Sequence, residues 1–356
     1  MEALEKAEIT RGDDGPSGFQ LTFRAEKTGT PPQVYDILSG GDFEIFNRIV
    51  VNVTVAGHTS VLIDGVITHQ QFQPSDQPGQ SLLVITGEDI SVMMDRREYN
   101  ITWPHMTDIL IVGTILAKYK VFYGIDEELH APLTSFAALI FQQSPQQSGT
   151  DLSYIKQLAF NHAFFFYIKP GSPGSFRNTA YWGPMERSGP TQKVLTINSG
   201  PMTNVESLTI SYNGLCPHFV WGMVEKDLFI SLPIPVITLE STRSPPFATK
   251  PALTHNSPGA YKLFQHQGMG VIEAYTTAQA MTDTSTDDVV TVQGTLDTFR
   301  YGHVLQAPGR VALRGAGPDY DGLYYVKTVT HHLSVGEYKQ DFTLTREGTG
   351  STISQV

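Results

Sequence analysis

The sequence predicts a mainly β fold of the α+β class, with β-rich regions at both ends and a helix-containing insertion between them. Three observations carry this. Apolar residues recur with a period of two along several segments, the mark of half-buried strands. Glycine and proline are frequent, 32 and 22 of 356 residues, and they cluster between the periodic segments, where turns are needed. Charged residues make up 17% of the chain against 40% hydrophobic, a balance that fits a β-dominated protein with much of its surface in subunit contacts. A chain of this length exceeds one ordinary core and suggests two or three domains.

Residues 1–18 read as an N-terminal arm that ends in the loop Arg11-Gly-Asp-Asp-Gly-Pro-Ser-Gly18. Phe19, Leu21 and Phe23 then alternate with Gln20, Thr22 and Arg24 and begin the strands. Further strands are expected at Phe43–Ile45, Ile49–Val55, Ser60–His69 and Ser81–Gly87. Turn signals at Ser39–Asp42, Ala56-Gly57 and Pro74–Gly79 separate them. This spacing suggests a barrel or sandwich over residues 19–104.

The period changes after Trp103-Pro104. Thr107 can cap a helix with Ile109, Val112, Leu116 and Tyr119 on its inner face, and Gly124 lies just past its end. Thr150 or Asp151 can cap a second helix, to about Asn161, with Leu152, Ile155, Leu158 and Ala159 inward. Phe141–Gly149 between them reads as a polar loop. Phe164–Ile168 is a continuous apolar run, as in a strand buried on both faces, and Pro170–Gly174 ends it. Strands resume at Lys193–Asn198, Val205–Tyr212 and Phe219–Val224.

Residues 231–262 carry Pro233, Pro235, Pro245, Pro246, Pro251 and Pro258 and read as a connector. A helix rich in small residues is expected over Gly270–Met281. Strands follow at Val289–Leu296, His303–Leu305, Arg310–Arg314, Gly322–Ser334 and Glu337–Arg346. Gly302, Gly315, Gly317 and Gly322 punctuate this region and are expected in tight turns, where only glycine accepts positive φ without steric cost.

The residues point to no catalytic, cofactor-binding or metal site. A net charge of −11 and the lack of any lysine–arginine cluster beyond Arg96-Arg97 argue against a grip on nucleic acid. Cys216 is the single cysteine, so neither an intrachain disulfide nor a thiolate metal site can form. His331 and His332 are adjacent in a strand and therefore face opposite ways, which keeps them from sharing one metal. Glu88, Asp89 and Asp95, or Asp126–Glu128, could supply a glycosidase pair, but acids at turns and helix ends are ordinarily solvated. No Gly-x-Ser-x-Gly, His-Glu-x-x-His or P-loop motif occurs. Gly315-Ala-Gly317 and Gly268-Met-Gly270 lack the context of a nucleotide fingerprint. Trp103, Trp182 and Trp221 are too widely spaced to suggest a sugar-binding cluster. No secretory signal and no apolar run near 20 residues is evident, so the expectation is synthesis in the cytoplasm without membrane insertion.

Several segments together resemble the phage late control protein D family, the hub proteins of contractile tails and related injection systems. They are Asp151–Ala159 followed by Phe164–Ile168, Gly200–Tyr212, Arg300–Gly302, Val304-Leu305, Gly315–Gly317, Gly322–His331 and Phe342–Arg346. The resemblance runs from about residue 19 to 347. It implies two tube-type β-barrel domains, over 19–104 and 263–347. Between them would lie a helical insertion with a buried aromatic strand (105–175), returning strands of the first barrel or insertion (176–230) and the connector (231–262), with 348–356 as a tail. It further implies a homotrimer whose pseudo-sixfold ring adapts a hexameric tail tube to a threefold spike. Tail tube protein, spike protein and other baseplate components would be its partners. The spike would be a separate chain, as in a VgrG-like hub without a fused spike. The competing reading is a cell-wall or glycan-degrading tail-associated enzyme.

Overall fold

The computed structural model describes residues 4–352 apart from 14, 16, 29–33, 78, 133–144, 225–232, 256, 258 and 266–269. Phe141, Pro258, Gly268 and Met269, named above, lie outside the described residues. Strand β1 (Leu4–Gly12) replaces the expected arm. Ala7 and Ile9 are buried, and the strand is hydrogen-bonded on both sides, to β2 (Gly18–Ala25) and to the strand at 322–334. Its apolar alternation is two residues long, too short to stand out, and its backbone pairing is what fixes it in place.

A small ribbon of β3 (Lys27–Thr28) and β4 (Val34–Tyr35) and a short helix α1 (Asp36–Ser39) lead into the next three strands. These are β5 (Arg48–Val55), β6 (His58–Gln73) and β7 (Ser81–Asp89). The expected strand at Phe43–Ile45 is instead turn. Ala56 and Gly57, both at positive φ, close the β5–β6 hairpin in the geometry that matches strand twist.

The insertion follows. It holds β8 (Glu98–Thr102), α2 (Asp108–Tyr123), β9 (Ile125–Leu129), β10 (Gln146–Thr150), α3 (Asp151–Asn161), β11 (Phe164–Lys169) and β12 (Asn178–Pro184). Strand β10 lies within the expected polar loop and pairs with β8. Its side chains are polar, so periodicity could not show it. Helix α2 buries Ile111, Val112, Ile115 and Leu116; of the expected stripe, Val112 and Leu116 are at the centre of this face, and Ile109 and Tyr119 pack at its edge, partly buried. Thr150 caps α3, accepting from the Ser153 amide at 3.2 Å. Both helices pack with Phe166 and Trp182 of the β11–β12–β9 sheet in one core.

The chain continues through β13 (Gln192–Thr196), β14 (Val205–Tyr212), β15 (His218–Val224), β16 (Ile234–Ile237), β17 (Ala248–Pro251) and β18 (Ala260–Phe264). Helix α3 is followed in the helix series by α4 (Val271–Asp287), which is longer than expected. After it come β19 (Val290–Asp297), α5 (Thr298–Tyr301), β20 (Gly309–Arg314), β21 (Gly322–Ser334), β22 (Glu337–Arg346) and β23 (Gly348–Ser351). Residues 303–305 are not a strand; α5 takes up the turn before them.

One continuous sheet joins the two ends, in the order β14–β19–β22–β21–β1–β2–β7–β6–β5, with β20 on β21 and β13 on β20. It curls around two cores. Ile9, Leu21, Ile63, Ile67, Leu83 and Ile85 fill the N-terminal one. Val292, Leu296, Val311, Leu313, Tyr324 and Leu344 fill the C-terminal one. Among the described residues no ladder joins β5 back to β1, so the halves meet through β21 and β1 as parts of one sheet. Of the strands expected over 176–230 to return to the first barrel or the insertion, β12 pairs with β11 and β9 of the insertion, whereas β13 and β14 pair with β20 and β19 and so extend the C-terminal half of the sheet. The expected tail at 348–356 begins as β23, which pairs with β17.

Candidate functional site

Three of the four predicted glycines gather at the β20–β21 turn. Gly315 has φ +87°, Gly317 +101° and Gly322 +129°. The Gly317 carbonyl accepts from the amides of Tyr320 and Asp321 at 2.9 and 2.7 Å. Arg346, buried, donates to the Asp321 and Asp319 carbonyls at 3.2 and 2.6 Å and lies over the Tyr324 ring. Gly302 stands apart, with φ +70° as the left-handed cap of α5. A Cβ on Gly302 would meet only the Lys193 Nζ, at an ordinary 3.5 Å, whereas one on Gly315 would sit 1.8 Å from the Ile197 carbonyl oxygen. Gly302→Val should therefore cost about 1 kcal/mol. Gly315→Val should cost several times that, because backbone must also move. Urea midpoints of the two variants check this order.

Five of the six candidate acids, all but Glu88, make hydrogen bonds or ion pairs within the fold. Asp89 is buried and accepts from the Ser91 amide at 2.8 Å, capping the 3₁₀ turn Ile90–Met94. Burial raises the Asp89 carboxyl, and the Ser91 hydrogen bonds offset part of this. Glu88 is also raised, by desolvation and then by the Asp89 charge. Asp95 accepts from Thr150 at 2.5 Å. Asp126 pairs with Arg177, Glu127 with Lys120, and Glu128 with Lys169.

His331 and His332 point to opposite faces. His331 is buried, its Nδ1 2.8 Å from the Tyr338 hydroxyl and 3.1 Å from the Gln340 amide. His332 lies in a surface groove of about 330 Å³ beside Lys6, Glu337, Lys339 and Asp341, 3.0 Å from the Asp341 carboxylate. Among the described residues no group of three His, Cys, Asp or Glu side chains could hold a metal ion. No described helix is long and apolar enough to cross a membrane.

A buried charge network that no sequence motif marks lies where insertion, connector and C-terminal half meet. Arg243 grips Asp287 with two bonds of 3.0 and 2.6 Å and donates to the Ala163 carbonyl at 3.0 Å. Arg187 reaches Glu347 at 2.9 Å and Asp287 at 3.5 Å. The other Glu347 oxygen accepts from the Phe247 and Ala248 amides. Burial raises the Asp287 carboxyl, and the Arg243 and Arg187 charges pull it back. Its members are tens of residues apart, so no local motif announces them.

Two of the apolar surfaces exposed among the described residues group several large side chains. In the β16–β15–β18 sheet, Val220, Val224, Val236 and Phe264 pack on α4. The opposite face shows Trp221 beside Ile237 and Leu263, with Met223 and Tyr261 next to them. All five are large exposed hydrophobics, Trp221 at 46%. The second surface is at the end of α2, where Val121 and Phe122 are 80% and 77% exposed. Phe176 adjoins it, since Arg48 donates to both the Tyr123 and Phe176 carbonyls.

No protein-family model and no curated protein matches the chain. Solved structures do. A tail protein from Neisseria meningitidis is 12% identical, with 98% of this chain and 93% of that one covered and a TM-score of 0.61. The 43 kDa tail protein of prophage MuSo2 from Shewanella oneidensis is 10% identical over 97% and 94% of the two chains, TM-score 0.63. An Escherichia coli type VI secretion component, described as similar to the T4 tail proteins gp27 and gp5, is 13% identical over 97% and 73%, TM-score 0.57. At these identities the likeness is one of fold. The chain has the fold shared by these phage-tail and secretion-system proteins, over nearly its whole length.

Proposed function

We propose that this chain is a structural component of a phage-tail-like particle, and specifically its baseplate hub: a homotrimer whose ring adapts a sixfold tail tube to a threefold spike. The observation that carries the reading is the full-length fold likeness to two tail proteins and a secretion-system component. The ordered segments that resemble late control protein D support the hub assignment. So does the sheet, whose terminal strand β5 pairs only with β6 among the described residues and leaves an edge for a neighbour. The glycines of the β20–β21 turn act as turn residues, and the particle's wall-degrading chemistry, if it has any, belongs to a partner. The mass of the purified chain tests this: three copies are expected, with threefold rings in negative stain. A monomer, or release of sugars or peptides from cell-wall material, would overturn it.

A further inference from the structure

We infer that the β16–β15–β18 face of one copy seats the α2-end patch of the next, so that these two apolar surfaces form the contact between protomers. The inference rests on the ring reading above.

The sheet is the first line of support. A sheet with apolar residues on both faces is built to be buried on both faces. Here α4 covers one face, and Trp221, Met223, Ile237, Tyr261 and Leu263 lie open on the other. By their fractional exposures these five residues leave roughly 500–600 Å² open, polar atoms included, within the range of the largest patch on a monomer and more than half of what one partner contributes to a standard interface.

The second patch supplies the counterpart. A ring that closes by rotation needs two different surfaces on each copy, because its contacts are heterologous. Val121, Phe122 and Phe176 form a surface of similar chemistry on separate elements. Charge favours the same pairing. Copies carrying −11 each repel one another, so contact is least costly through uncharged faces. The sheet face holds no charged side chain among the five. The cations that border the α2-end patch, Arg48, Lys120 and Arg177, are each paired with a carboxylate, so this rim is also close to neutral.

The experiment compares the full-length chain with Met223→Asp and Phe122→Asp by sedimentation, with thermal melts as a check on folding. Both side chains are exposed, so each variant should melt like the parent. A trimeric parent and at least about 30-fold weaker association in each variant support the inference. A monomeric parent overturns the ring reading itself. A trimeric parent with equally trimeric variants overturns only the assigned surface. Oxidation of a chain carrying Cys216→Ser with Met223→Cys and Phe122→Cys should then yield covalent trimers, while either new cysteine alone should yield none. Cross-linking by Met223→Cys alone would mean a like-to-like contact and overturn the pairing.

Discussion

Replacing Arg243 with methionine is expected to destabilise the fold by about 3–5 kcal/mol, the usual loss when one partner of a buried ion pair is removed. Methionine keeps most of the apolar stem but withdraws both bonds to Asp287. That carboxylate, 5% exposed, then depends on Arg187 at 3.5 Å. The Ala163 carbonyl at the end of α3 also loses its donor, so the insertion loosens from the connector. The exposed Arg177–Asp126 pair serves as the control, because solvent screens it. Arg177→Met should leave the guanidinium chloride midpoint nearly unchanged. Equal midpoints for the two variants would show that the buried network carries no weight.

Acidification is expected to weaken the protein through His331. Burial, followed by the charges of Arg11 and His332, draws its imidazole down to about 3. An unfolded histidine titrates near 6.5. The folded state thus holds His331 neutral while the unfolded state takes up a proton. Stability from this group is complete above about pH 6.5 and is lost as the pH falls towards about 3, by about 4–5 kcal/mol in all. The neutral ring has a defined role. Its Nδ1 accepts from Tyr338 and Gln340, and Gln340 in turn bonds both backbone groups of Leu305. Denaturation midpoints between pH 7 and 4 should fall more steeply for the parent than for His331→Gln. Parallel slopes would mean that the ring is protonated in the folded state.

The strongly periodic segments were legible in the sequence. Strands β14, β21 and β22 and helix α3 lie where alternation and capping place them, because each carries its own apolar pattern and turn residues. Strands β1, β10 and β23 were not legible. They hold two buried aliphatics, none and none, and their positions come from ladder partners distant in the chain. Helix α2 was found, and its expected face of Ile109, Val112, Leu116 and Tyr119 does meet the core, but the buried centre also takes in Ile111 and Ile115, because apolar residues surround much of the helix and the packing of α3 and Trp182 selects the side. Gly302, Gly315, Gly317 and Gly322 were singled out by their places between strand patterns, and all four have positive φ. The Arg187–Arg243–Asp287–Glu347 network was not legible, since charged residues far apart in sequence carry no sign that folding will bury them together.

Strand β21 has a mechanical consequence. Its first residues pair with β20, its last seven lie along β1 from Thr328↔Gly12 to Ser334↔Lys6, and β22 runs beside it through most of that length. The two cores are thus laced by one strand rather than hung from a linker. A pull that separates the halves along this strand loads the β1–β21 hydrogen bonds in shear, all at once, instead of opening them one by one. The chain can therefore pass tension between its halves with little give, as a rivet does and a hinge does not.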